Sequence, residues 1–147
     1  MPLNNDLREF LELLNSRGVD YIIVEAHSLA FHGRPRYTGD LDILIRPTAE
    51  NATRIVGLLK QFGFADAGLN ESDFTEPEQM IQLGRAPNRI DLLTSISGVT
   101  PDEAFATKTP ASLDGIPVFV LSKDALIRNK RTVGRPQDLA DLDLLES

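Results

Sequence analysis

The sequence contains no cysteine. Disulfides, thiolate catalysis and cysteine-bound zinc are therefore excluded. Histidine is scarce: His27 and His32 are the two in the chain, too few and too scattered for a zinc site. Positive charge is in deficit, with 15 Lys and Arg against 22 Asp and Glu, for a net charge of −7. Broad, non-specific binding to nucleic acid rests on neutralising many phosphates, and this balance argues against it. A small phosphate ligand held by a few local cations is still allowed. No apolar run is long enough to span a bilayer. The opening MPLNNDLREF lacks the basic start and apolar core of a signal peptide, so the expectation is a cytoplasmic protein. No internal repeat, linker or low-complexity segment interrupts the chain.

What is present fits one domain over residues 1–147, with 41% apolar and 25% charged residues. Leu7, Phe10, Leu11 and Leu14 recur at helical spacing before Gly18. YIIV, residues 21–24, reads as a short buried strand. EAHSLAFHG returns to helix and ends at Gly33, where His32 packs or caps. RPRYTG is a loop broken by Pro35 and Gly39. DLDILI is the second strand. Thr48 then caps a helix to about Phe62 that buries Ala52, Ile55, Val56, Leu59 and Phe62. Residues 63–77 are polar and weakly patterned, with one helical turn expected near Glu71–Phe74. MIQL (80–83) and RIDLL (89–93) are strands. Thr100-Pro101-Asp102-Glu103 is a capping box with proline at the first helical position. Asp114-Gly115 reads as a hairpin turn. Ser122 caps a helix through about Val133, Gly134 stops it, and Pro136 opens a last helix with Leu139, Leu142 and Leu145 in line. Phe10, Phe31, Phe62 and Phe64 look like core. Crossovers mix with hairpins, which predicts an α+β fold: a mixed sheet flanked by helices, closing on a C-terminal helical pair.

Asp40 and Asp42 stand at the start of the second strand. Strand side chains alternate, so the two point the same way, about 7 Å apart along the backbone. They form either a solvated edge or the oxygen ligands of a small divalent cation. Asp91 bears on the choice. Its neighbours Ile90 and Leu92 look buried, and a carboxylate among them is costly unless something neutralises it. That partner is a cation shared with Asp40 and Asp42, or an arginine. The cation reading is favoured, because three carboxylates on adjacent strands are a phosphoryl-transfer arrangement. The acids precede the apolar run, so the preceding helix and loop are placed to cradle phosphate; Arg34 and Arg36 in that loop either hold phosphates or neutralise the acids.

The strings VEAHSLAFHGRPRYTGDLDILI, RIDLLTSISGV and LIRNKRTVGRPQDLADL resemble, in that order, the minimal nucleotidyltransferase superfamily. The likeness is to the branch related to abortive-infection toxin nucleotidyltransferases and to small uncharacterised relatives. It covers the chain from about Val19 to Leu145. The resemblance implies transfer of a nucleoside monophosphate from a nucleoside triphosphate (NTP) to an acceptor, with Mg2+ or Mn2+. Asp40, Asp42 and Asp91 are then the metal ligands and catalytic carboxylates, Asp91 helping to activate the acceptor. Ser28, Arg36, Lys130 and Asp138 are the positions expected to serve the nucleotide, Lys130 by steadying the triphosphate. The acceptor is a small molecule, a protein hydroxyl or an RNA end, and toxin-like relatives suggest a protein partner in a two-component module. Asp141, one turn beyond Asp138, reads as part of a solvated face.

The chain departs from the family at Glu25-Ala26, where Gly-Gly or Gly-Ser is usual. Glycine lets backbone approach a triphosphate. Ala26 adds a side chain there, and Glu25 adds negative charge. This supports a second reading: a binding or regulatory module on the same fold with impaired catalysis. A metal-dependent phosphatase is a weaker third, because the acids precede the strand.

Overall fold

The computed structural model describes residues 5–33, 39–64, 67–84 and 88–146. Six helices and six strands alternate through them: α1 (Asn5–Ser16), β1 (Tyr21–Val24), α2 (Glu25–Phe31), β2 (Leu41–Ile45), α3 (Ala49–Phe62), β3 (Met80–Leu83), β4 (Ile90–Leu93), α4 (Pro101–Ala106), β5 (Thr109–Leu113), β6 (Ile116–Val120), α5 (Lys123–Val133) and α6 (Pro136–Leu145). A single 3-10 turn covers Glu71–Phe74, where one helical turn was expected. The strands form one sheet in the order β3-β4-β2-β1-β6-β5. β1 runs antiparallel to β2, and β2 parallel to β4. β6 lies parallel to β1, while β3 and β5 are antiparallel edges. The mixed α+β architecture predicted from the sequence is the one present.

Both faces of the sheet carry apolar cores. Leu41, Ile43 and Ile45 pack with Leu7, Phe10, Leu11, Ile55 and Leu59 from α1 and α3. Leu44 alternates to the opposite face and joins Ile22, Val24, Leu29, Phe105 and Leu126. Asp42, two residues before Leu44, therefore lies on this second face, under α2, α4 and α5.

Local chemistry explains the element ends. Thr48 accepts from the Asn51 amide and Ser122 from the Ala125 amide, which satisfies first-turn donors of α3 and α5. Thr100 and Glu103 form the expected reciprocal capping box. Gly134 ends α5 in the left-handed region at φ 67°. Asp114 and Gly115 have φ of 51° and 82°, the pair of positive values a two-residue hairpin of this hand requires.

Two expected core residues are not core. Phe31 is 47% exposed on the last turn of α2, with its ring edge-on to His32. Leu139 is 50% exposed, because α6 turns Asp138, Asp141, Leu142 and Leu145 inward instead. Phe62 and Phe64 are half-buried and stack on each other beside the α1–α3 core.

Candidate functional site

Register builds the site. In the parallel pair β2–β4, Asp42 stands opposite Asp91. Across β1 it is opposite Val24, and Asp91 is opposite Gln82 of β3. Directly opposed residues share a face, so Gln82, Asp91, Asp42 and Val24 form one row across four strands. Asp91 is almost wholly buried and Asp42 partly so. The separate β segments thus bring these two carboxylates together.

The electrostatic consequence falls on Asp42. Its carboxyl is pushed up from 3.8 to about 7, first by burial and then by the charge of Asp91. A hydrogen bond between the two carboxyls adds to this, as do the charges of Glu25 and Asp40. Two close carboxyls cannot both ionise cheaply, so Asp42 keeps its proton up to near neutral pH.

Asp91 also has an arginine partner. Nε and Nη2 of Arg89 reach its two oxygens at 2.7 and 3.0 Å, a bidentate pair. The same guanidinium lies 3.9 Å from Oδ2 of Asp40. Oδ1 of Asp40 accepts from the Arg89 backbone amide at 2.9 Å, and the Leu41 amide donates to the Arg89 carbonyl at 2.8 Å. Asp40 therefore clips the start of β2 to the start of β4. Among the described residues, no three His, Asp or Glu side chains are grouped closely enough to hold a metal ion. The arginine alternative for Asp91 is thus realised, together with its contact to Asp42. Arg89 escaped the sequence reading, although its spacing two residues before Asp91 places both side chains on one face.

Glu25 follows Val24 directly and has φ 59°, a left-handed conformation at a non-glycine residue. Its charge acts on Asp42 and also on Arg135. Arg135 in turn binds Asp138 through Nε at 2.7 Å and Nη2 at 3.2 Å, and its amide donates to the same carboxylate. This holds the Asp138 carboxyl at about 2, below its ordinary 3.8. Lys130 lies 3.3 Å from Asp138 and 3.1 Å from Asp141. All three are buried. Asp141 is therefore an interior counter-charge and not part of a solvated face. Helical spacing on α6 alone does not reveal this, because its cation comes from α5. Arg128 and Arg131 pair with Glu103 and Glu146 on the surface.

The remaining expected positions divide. Ser28 is fully buried, and its hydroxyl donates to the Leu121 carbonyl at 3.4 Å. Nε2 of His32 meets the same carbonyl at 2.7 Å. His27 is buried and hydrogen-bonded to the backbone of Asp40, while its Nε2 has no partner among the described residues. Burial lowers its pKa. Arg34 and Arg36 lie outside the described residues.

No protein-family profile and no curated protein sequence matches this chain. Solved structures do. A candidate nucleotidyltransferase from Thermotoga maritima aligns with 96% of this chain and 91% of its own, at 17% identity and a TM-score of 0.60. An antigenic nucleotidyltransferase-like protein from Paracoccidioides brasiliensis aligns with 99% of this chain and 78% of its own, at 18% identity and a TM-score of 0.56. The lincosamide antibiotic adenylyltransferase LnuA, bound to lincomycin, aligns with 100% of this chain and 99% of its own, at 13% identity and a TM-score of 0.56. Identities this low speak to the fold. Among the described residues, no helix is long and apolar enough to cross a membrane.

Proposed function

From a chain with the nucleotidyltransferase fold, we propose a nucleotidyl transfer in which Asp42 and Asp91 are the working carboxylates. The observation that carries the reading is their placement opposite each other on adjacent strands. Two opposed oxygen donors, one of which holds a proton near neutral pH, suit a hard divalent cation, Mg2+ or Mn2+, which can take that proton's place. Asp42 and Asp91 would hold it; Asp40, tied through Oδ1 to the Arg89 amide, would join them only by turning its side chain. When bound, the cation supplies charge neutralisation on the donor's phosphates.

The chain's own residues do the rest. Asp91 orients the acceptor and takes the proton from its hydroxyl. The acceptor oxygen bonds to the α-phosphorus of an NTP, the bond from that phosphorus to the bridging oxygen breaks, and pyrophosphate leaves. Phosphoryl transfer asks mainly for positioning and charge stabilisation, which rigid strands provide. Lys130 and Asp138 act as a brace: their buried ion pair fixes α6 and, through it, Arg135. Arg36, outside the described residues, remains a proposed phosphate ligand. Acceptors compatible with the net charge of −7 are small molecules or protein hydroxyls ahead of RNA ends.

The test is transfer of radiolabelled nucleotide by the wild type and by Asp42→Asn. Asn keeps the shape and removes the charge, so transfer should fall by roughly a thousandfold with the fold intact by circular dichroism. Wild-type rates in Asp42→Asn would remove the proposal.

Glu25 favours a second reading, a binding or regulatory module with impaired catalysis, because it sets a carboxylate and a left-handed non-glycine residue beside the row. Thermal shift with Mg2+ and each NTP separates the two. Stabilisation by one or more NTPs favours transfer, and none by any favours the module.

A further inference from the structure

We infer that Arg89 is a displaceable internal counter-ion: its guanidinium closes the carboxylate row in the cation-free protein, yields to a divalent cation, and then becomes a ligand for the donor's phosphates. This rests on the cation site proposed above and adds a residue to it.

Three observations carry the inference. Nε and Nη2 of Arg89 occupy both oxygens of Asp91, at 2.7 and 3.0 Å, and Nη2 stands 3.9 Å from Asp40. The charges of Asp91, Asp40 and Asp42 all act on this guanidinium. One protein cation thus sits against Asp91 and near Asp40, within the field of Asp42, where an arriving dication must compete with it. Second, the two ends of the side chain differ in freedom. The Arg89 backbone is pinned by the Asp40 carboxylate and the Leu41 amide at 2.9 and 2.8 Å, while its side chain is 31% exposed. It can leave Asp91 without disturbing either strand. Third, an arginine cannot be discharged by losing a proton, so it makes way only by moving. Its planar fork of donors matches phosphate oxygens as well as carboxylate oxygens, and a triphosphate arriving with the cation offers those oxygens nearby. Displacement would exchange one bidentate pair for another.

Manganese binding without nucleotide, read by electron paramagnetic resonance, tests this in wild type, Arg89→Ala, Arg89→Gln and Asp42→Asn. Removing the competitor should tighten Mn2+ by about tenfold or more, equivalent to about 1.4 kcal/mol, in both Arg89 variants. Asp42→Asn should bind Mn2+ weakly or not at all. Mn2+-loaded Arg89→Ala should then bind a non-hydrolysable NTP analogue about tenfold more weakly than the loaded wild type. Arg89→Gln keeps a hydrogen bond to Asp91 without the charge, which covers an Arg89→Ala that fails to fold. If both Arg89 variants match wild type in Mn2+ affinity while Asp42→Asn loses it, the inference is overturned and the cation site stands. If no protein binds Mn2+, site and inference fall together. If Mn2+ tightens but the analogue binds equally well, the phosphate half is overturned.

Discussion

At φ 59° Glu25 holds a conformation that costs a side-chain-bearing residue about 1–2 kcal/mol, while glycine in its place loses about 0.5–1 kcal/mol more chain entropy on folding. Glu25→Gly should therefore leave stability unchanged or raise it by up to about 1 kcal/mol in urea unfolding. It should also enlarge the thermal shift given by Mg2+ and NTP, because a carboxylate beside Asp42 is gone. A loss of more than about 1 kcal/mol would show that Glu25 earns its place through contacts and carries no net strain. The sequence marks position 25 as unusual only against the family pattern; the backbone angle supplies the physical reason. Asp42 and Asp91 were readable because strand alternation fixes the face of each residue. That Asp91 pairs with an arginine was readable as a possibility; that the arginine is Arg89 was not, since any of several cations could have filled that role. Asp141 was not readable, because its partner Lys130 belongs to another helix and only packing brings them together.

Elements were legible where local chemistry decides them. Thr48, Thr100, Ser122 and Gly134 bracket helices by satisfying or ending backbone hydrogen bonds, with no tertiary information needed. Strand neighbours were less legible, because placing β6 beside β1 depends on how the helices cover the sheet. Asn51 shows how one side chain joins elements. Buried on α3, it accepts from the Asp20 amide at 2.7 Å and donates to the carbonyls of Asp20 and Arg46, each at 2.9 Å. Asn51→Ala orphans these backbone groups at the end of the β1–β2 pair where β1 begins and β2 stops, and should cost about 2–3 kcal/mol in denaturant unfolding. Gly98 plays the same part between β4 and α5. A Cβ there would fall on Thr132 and lie 3.0 Å from the Arg128 carbonyl, at φ 79°. Gly98→Ala should lower stability by about 2 kcal/mol or more, and trimming Thr132 to alanine, which removes the nearest atom Oγ1 but keeps Cβ, should recover only part of it.

Across the whole molecule, a line of charges runs from the sheet to the last helix, with three acids together near its start: Arg89, Asp91, Asp42, Glu25, Arg135, Asp138, Lys130 and Asp141. Falling pH reaches Asp42 first and breaks the line last at Asp138. The Asp138 carboxyl is held at about 2 by Arg135 first, against an ordinary 3.8. Between those values the unfolded chain binds the proton that the native one refuses. Its contribution is therefore complete above about pH 4 and disappears as pH falls through about 2. Urea unfolding at a series of pH values should show that loss in wild type and a shallower slope over the same interval in Asp138→Asn. Equal slopes would mean that other carboxylates govern the acid limb.

The brace on α6 also sets an order of events during synthesis. Lys130 precedes Asp138 and Asp141 in the chain, so a chain from which residues 136–145 have yet to emerge must keep that ammonium in water while the sheet gathers. The interior can accept it only after residues 136–145 have emerged, and translation stalled before that point should yield a chain with its strands in place and its C-terminal helices undocked.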